Sequence, residues 1–351
     1  RQFPFGVQLR ALGDLTAALD LQRSALEKEA LGPEDAGTQR DARSADTIEI
    51  LAEIATASAK RGMCGTADLE EILARAKACH VPLRRPLFFS LLKTAAILVS
   101  RNRAKRDLID TLLAEMQAHS LAADQATTSV LVELVTSTAD RGHARAEDVW
   151  WVLENVGMEA LSLRVWMPLM KVLAAAAKRG HASSSDAMAL AERARDYFGR
   201  RGMCPSVFFF NSAMLVLVNE QRHRAGGVPP GMRVRQGVQA ASVSAQGRVT
   251  AAPRQGGPDV SPWEILAFMD EVGELPDEVT FNSALSFYVP SCVGDTRDEA
   301  RRQALALVSE MRRRNVAAST ATYNTVLQVL AFSSLDGAAP DEALSHIFSS
   351  P

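Results

Sequence analysis

Apolar residues recur in this chain at offsets of 0, 3, 4 and 7, the spacing that lines one face of an α-helix. Three such stripes stand in the C-terminal half. Phe210, Ala213, Met214 and Leu217 form the first, Phe281, Ala284, Leu285 and Tyr288 the second, and Tyr323, Val326, Leu327 and Leu330 the third. Each stripe opens on an aromatic followed by Asn (Asn211, Asn282, Asn324) and then by Ser or Thr (Ser212, Ser283, Thr325). Twelve residues before each aromatic lies an apolar anchor late in a helical stretch: Phe198, Met269 and Met311. Four residues after the anchor comes Gly202, Gly273 or Asn315, and three further on Pro205, Pro276 or Ala318. Residue types that return at fixed offsets indicate a repeated structural unit.

The N-terminal half carries a second marker. Lys60-Arg61-Gly62, Arg141-Gly142 and Lys178-Arg179-Gly180 each close an Ala-rich apolar run, and Arg101-Asn102 falls between the first two. Gly past a helix end adopts the left-handed cap conformation, and a basic residue in the last turn suits the helix dipole. The resulting period of about 38 to 40 residues holds two antiparallel helices and their turns. Hairpins are thus predicted to begin near Asp46, Pro86, Gln125, Leu163, Val207, Val279 and Ala321, with no segment alternating like a strand. The predicted fold is all-α, an α-solenoid of about seven antiparallel hairpins.

Residues 1–45 read as a helical extension (Val7–Ala30) and polar linker, 46–206 as degenerate hairpin repeats, and 207–351 as the better-patterned repeats. An Arg/Gly-rich insertion at 221–260 splits the fifth hairpin. It carries Arg222, Arg224, Arg233, Arg235, Arg248 and Arg254 against a single acid, Asp259, and is expected to be a long loop that is mobile or ordered by a partner. The last stretch, Asp341–Phe348, looks like the start of a second helix, with Phe348 at the anchor position; further chain or a partner is expected to cover this edge.

Composition narrows the chemistry. Hydrophobic residues make up 47% of the chain, enough for a buried core, and the net charge of −2 excludes a polycation held to phosphate by bulk charge alone. Cys64, Cys79, Cys204 and Cys292 are scattered, which argues against a disulfide framework or structural zinc and fits a reducing compartment. The six histidines are dispersed without metal spacing, and the Gly pairs of the insertion lack the Gly-Lys-Ser/Thr arrangement that cradles phosphate. No catalytic constellation, metal site or cofactor is expected. The apolar runs are too short or interrupted for a membrane span. The first residue is Arg1 rather than Met, which a cleaved organellar targeting peptide or trimming would explain. Three basic clusters stand out: Arg101, Arg103, Lys105 and Arg106 in one turn, Arg312, Arg313 and Arg314 at a helix end, and the arginines of the insertion. Solvated helix ends are the commoner explanation for the first two; the insertion is the stronger candidate for RNA.

The stretches PSVFFFNSAMLVLV, ILAFMDEVGELPDEVTFN, LVSEMRRRNVAAS and TATYNTVLQVL resemble the pentatricopeptide-repeat family over about residues 189–348. The likeness is to that family's Thr-Tyr-Asn opening and Met-x-x-x-Gly-x-x-Pro ending; residues 46–188 share only helical hairpins with it. The resemblance implies a right-handed superhelix, an organellar location and single-stranded RNA along the concave face, one base per repeat. The implied base-reading pairs are Ser212 with Glu278 and Ser283 with Thr320; Thr325 has no second member. Asn211, Asn282 and Asn324 complete the candidate face. Glu278 and Thr320 depart from the family's usual Asp, Asn or Ser and spell no base. The expectation is therefore a non-enzymatic, RNA-associated structural component of an organellar assembly, foremost the mitochondrial ribosome. Its partners would be RNA and other proteins of the complex, and its location the mitochondrion or, alternatively, a plastid. The alternatives are an RNA-binding factor for transcript maturation, stability or translation, and a protein-only scaffold.

Overall fold

Every regular element in the computed structural model is helical. It describes residues 37–78, 84–157, 161–226, 260–291 and 297–333, and among these there are thirteen α-helices, one 3₁₀ turn at Val289–Ser291 and no strand. In chain order the helices are α1 (Gly37–Arg61), α2 (Thr66–Ala78), α3 (Arg85–Ser100), α4 (Asp107–Ala118), α5 (Gln125–Asp140), α6 (Ala146–Asn155) and α7 (Trp166–Ala177). They continue with α8 (Ser184–Gly199), α9 (Val207–Arg224), α10 (Pro262–Val272), α11 (Glu278–Tyr288), α12 (Arg297–Arg313) and α13 (Thr320–Ser333). The predicted hairpin starts at 86, 125, 207, 279 and 321 fall within one residue of an observed helix start. Three boundaries differ. Helix α7 begins at Trp166, three residues after the predicted start at Leu163. Helix α1 begins at Gly37, nine residues before Asp46, because nothing between 37 and 61 is a proline and the stretch is rich in Ala and Arg, good helix formers. Helix α9 runs on to Arg224, into the residues assigned to the insertion.

The chain divides into two compact units, one of residues 1–138 and 150–165, the other of 139–149 and 166–351. In the first, α1 packs on α2 and α3, α2 on α3, and α3 on α4. Ile48, Leu51, Phe88, Leu91 and Leu92 are fully enclosed there. Thr56 Oγ1 and the fully buried Thr94 Oγ1 stand 2.8 Å apart across α1 and α3, each also bonded to a helical carbonyl one turn back, so both hydroxyls have partners.

In the second unit the odd-numbered helices α7, α9, α11 and α13 pack each on the next, and each of α7, α9 and α11 also packs on the even-numbered helix that follows it. Phe210, Phe281, Ala213, Ala284, Met214 and Leu285 have no exposed surface: the predicted stripes are core. Phe210 meets Phe268 of α10 at 6.0 Å, and Trp166 meets Tyr197 of α8 at 5.2 Å between ring centroids. The third stripe departs in two places. Tyr323 is only half-buried. Leu327 is 41% exposed and Val329 takes the buried position, because the described neighbours of α13, α11 and α12, cover one side of it.

The spacing of anchor and Gly or Asn is explained by how the helices end. The carbonyls of Phe198, Met269 and Met311 accept from the amides of Met203, Glu274 and Val316, while Gly202, Gly273 and Asn315 turn with φ of 65°, 79° and 56°. This is the six-to-one closure of a Schellman motif, which satisfies the last orphan carbonyls. A residue eight past each anchor (Ser206, Asp277, Ser319) then precedes the next helix. The same joint occurs upstream, where Met116 accepts from Leu121, Ser120 has φ 57° and Asp124 takes the bonds of Thr127 N–H and Oγ1. Ser in place of Gly, and Thr128-Ser129 in place of aromatic-Asn, hid this member from the pattern.

The other helix ends also share a design. Gly62, Gly142 and Gly180 have φ of 80°, 87° and 76°, and six residues later Asp68, Asp148 and Asp186 accept from the amides of Gly65, Arg145 and Ser183. A Cβ at Gly142 would overlap the Arg179 guanidinium as well as strain the backbone. Gly142→Ala is therefore expected to lower stability by at least about 1–2 kcal/mol, the left-handed penalty alone, read as a fall in urea midpoint; an unchanged midpoint would show that the turn relaxes freely.

Candidate nucleic-acid interface

The face suggested by the sequence lies on the α7–α9–α11–α13 layer of the second unit. Ser212, Ser283 and Thr325 each occupy the sixth position of their helix, and all three are half-buried. Ser212 donates to the Phe208 carbonyl at 3.0 Å and stands 3.5 Å from Met167 Sδ of α7; Thr325 donates to the Ala321 carbonyl at 2.9 Å. A helical hydroxyl bonded one turn back still keeps its lone pairs to accept with. Glu278 accepts from Asn282 Nδ2 at 3.1 Å, and Thr320 and Asn324 are exposed.

The Asn of each repeat has a different role from the hydroxyl beside it. Asn211 Nδ2 donates to both carboxylate oxygens of Asp277 at 3.2 and 3.3 Å, and its Oδ1 accepts from Thr280 Oγ1 at 2.6 Å. Asp277 caps α11, accepting from Thr280 N–H at 2.8 Å. The side chain of Asn211 is thus committed to the joint between α9 and α11. Partial burial alone would raise the Asp277 pKa; the hydrogen bonds from Thr280 and Asn211 outweigh it and hold the carboxyl below its ordinary value. Asn282 does not repeat the arrangement: its Oδ1 is buried with no hydrogen-bond partner.

The structure adds a group that the stripes had missed. Phe208 is 64% exposed, Val279 54% and Leu275 80%, and Phe208 and Val279 both hold the second position of their helices. The main-chain amide of Val207 donates to Glu274 Oε1 at 2.6 Å, tying the start of α9 to the loop that bears Leu275. The signal was present in the run Phe208-Phe209-Phe210. Successive helical residues are 100° apart, so a single buried face cannot take three in a row.

The basic clusters separate on inspection. Arg101 donates to the carbonyls of Ala59 and Lys60 at 2.8 and 2.7 Å, and Arg103 donates to the Gly62 carbonyl, so both cap the end of α1. Arg314 forms a fork on Asp270 at 2.6 and 2.7 Å and also bonds Glu310, which Arg313 bonds too. These guanidinium bonds, first from Arg313 and then from Arg314, hold the Glu310 carboxyl at about 2. Because that pKa is depressed from 4.5, its stabilisation is complete above the ordinary value and is lost as pH falls toward about 2. Arg314→Ala is expected to flatten the fall in melting temperature between pH 5 and pH 3; a slope equal to the parent's would show that the pair contributes nothing. Of the insertion arginines, Arg222 and Arg224 are on the last turn of α9, with Arg224 on Glu220 at 2.8 Å. Arg233, Arg235, Arg248 and Arg254 lie outside the described residues.

Among the described residues no group of three or more His, Cys, Asp or Glu side chains is placed to hold a metal, and no helix is long and apolar enough to cross a membrane. The adjacent Cys79 and His80 lie outside the described residues. Cys64 is enclosed beneath the turn after α1; burial, reinforced by the Asp68 charge, pushes its thiol up to about 12, which removes the thiolate that reactivity needs. No family model matches this chain, and no curated protein matches it significantly.

Proposed function

We propose that this chain is a pentatricopeptide-like α-solenoid that serves, without catalysis, as an RNA-associated structural component of an organellar assembly, foremost the mitochondrial ribosome. The observation that carries this reading is the recurring joint. A Schellman turn, a short loop and a new helix packed on the previous odd-numbered one recur after Phe198, Met269 and Met311. Units joined in this way, each contacting its neighbours, are what a solenoid of about seven hairpins requires. Ser212, Ser283 and Thr325 fall in register on one layer, with Phe208 and Val279 exposed one turn before the first two, a surface able to meet bases by hydroxyl and apolar contact.

The scaffold reading is preferred to that of a sequence-reading factor. Glu278 is bonded to Asn282, Asn211 is taken up by its joint, and Thr320 departs from the usual second-position residues. A surface with so few readers contacts RNA without reading a sequence. Crosslinking in organelles, followed by sequencing of the attached RNA, tests this. Crosslinks at a few fixed positions in ribosomal RNA, with co-sedimentation on a ribosomal subunit, are expected. Crosslinks on one messenger would replace the scaffold with a dedicated factor, and none above background would leave a protein-only array.

A further inference from the structure

In the second unit the turns after α5 and α7 and the end of α9 are joined side by side. The Ala146 amide donates to the His181 carbonyl at 3.1 Å, and the Ser184 amide donates to Glu220 Oε2 at 2.7 Å. The Arg179 guanidinium stands over Gly142 and the His223 ring over Gly180. This contiguous strip exposes Arg141, His143, Arg145, Lys178, Arg179 and Arg222. Acids are present too, but three of them are engaged by main-chain amides at helix N-termini. Asp148 is 4% exposed and accepts from the Arg145 amide at 2.9 Å. Asp186 accepts from the Ser183 amide and hydroxyl at 2.8 Å, and Glu220 is taken by Ser184 and Arg224. The exposed acids beside the cations are Asp140 and Glu147.

Net charge conceals this sorting. A chain of −2 overall has spent its carboxylates here on helix N-termini, where the dipole and free amides favour them. Arg141, Lys178, Arg179 and Arg222 remain at helix C-termini and Arg145 at the start of α6, all with exposed side chains. One basic side chain near each terminus answers the helix dipole; at the turns after α5 and α7 two stand where one would do. A row of guanidinium and ammonium groups on rigid turns, outnumbering the imidazoles of His143 and His223, favours repeated negative charge over base edges.

We propose that this strip, from Arg141 through Lys178 to Arg222, is an RNA phosphate-backbone site that binds without regard to sequence. The proposal rests on the RNA association proposed above and gives it a surface distinct from the layer of Ser212 and Ser283. In this arrangement the strip supplies salt-sensitive affinity by releasing counterions, while the layer contributes contact to bases.

The test measures binding of the full chain to a labelled mixed-sequence RNA strand and to a labelled RNA hairpin across a range of KCl concentrations. The variant combines Arg141→Ala, Arg145→Ala, Lys178→Ala and Arg222→Ala, all exposed side chains; Arg179 is left in place because it covers Gly142. Each phosphate contact contributes about 0.7 to the log–log salt slope for a single strand, so the slope should become shallower by about 3, with affinity at least about tenfold weaker at low salt. Exchanging the same four residues within the basic class (Arg to Lys, Lys to Arg) should restore the slope. Loss on the strand alone, the hairpin alone or both identifies the form of RNA bound. Unchanged slope and affinity, while the parent binds, would overturn the strip and leave RNA association standing. A parent that binds neither RNA would overturn both. Charge reversal at two sites, R141E with K178E, provides a second variant should the fourfold one misfold: abolished binding supports the strip, and retained binding refutes it.

Discussion

Phe210→Ala is expected to destabilise the second unit by about 3–5 kcal/mol, and Phe208→Ala, two residues away, by less than about 0.5 kcal/mol. Phe210 has no exposed surface; it packs edge-on to Phe209 at 5.5 Å and on Phe268 of α10 at 6.0 Å. Removing it takes away the transfer energy of a phenyl ring and leaves a cavity between helices that close only in part. Phe208 is 64% exposed, and its loss empties no interior space. Urea unfolding followed by circular dichroism reads the first effect, and hydrogen exchange across α9 and α11 localises it. The RNA-strand assay described above reads the second: Phe208→Ala should weaken binding while leaving the urea midpoint in place. Equal destabilisation by the two variants would mean that α9 is rotated from the orientation described, and the exposed layer would go with it.

Asn211→Asp should be more damaging at neutral pH than Asn211→Ala, and its deficit should shrink as the solution is acidified. Asn211 donates to both oxygens of Asp277, so the substitution puts a second carboxylate where the capping carboxylate has its donor. Asn211→Ala loses the bonds but adds no charge; its cost is set by the unpaired groups left at a half-buried site, about 1–3 kcal/mol. The sign for Asp277 follows from its depressed pKa. A lowered folded-state pKa gives stability that is present above the unfolded value and lost as pH falls through the folded one. Removing the Asn211 donors relaxes that depression, so Asn211→Ala should lose less stability than the parent on acidification. In Asn211→Asp, protonation of either carboxyl relieves the repulsion, and stability relative to the parent should recover below about pH 5. Melting temperatures at pH 7 and pH 4 suffice; a deficit for Asn211→Asp that is the same at both would remove Asp277 from the joint.

These variants also mark where sequence and structure part. The helical stripes and the Gly and Asn turns were legible because both depend on local geometry. A period of 3.6 fixes which residues share a face, and a left-handed turn after a helix admits Gly or Asn most readily. The offset from Met269 to Gly273 is the length of a Schellman closure, and the step to Asp277 is the loop that follows it. The same logic located five of the seven hairpin starts to within a residue. Capping by Asp68, Asp148 and Asp186, six residues past Gly62, Gly142 and Gly180, was equally local; it went unread because only the Gly was followed.

Side-chain partners at long sequence separation were not legible. The sequence placed Arg314 in a cluster with Arg312 and Arg313, and only packing brought Asp270 within 2.6 Å of it. Asn211 had the look of a surface reader until α11 delivered Asp277 and Thr280 to it. Composition reported a nearly neutral chain, whereas the fold engages acids on amides at helix N-termini and leaves cations exposed beside the turns at Gly142 and Gly180. The chain's own chemistry thus determined its helices, their ends and the faces they bury, since those are settled within a turn or two of backbone. Tertiary structure decided which polar side chains are occupied and which stay exposed, because that depends on which groups from distant helices converge.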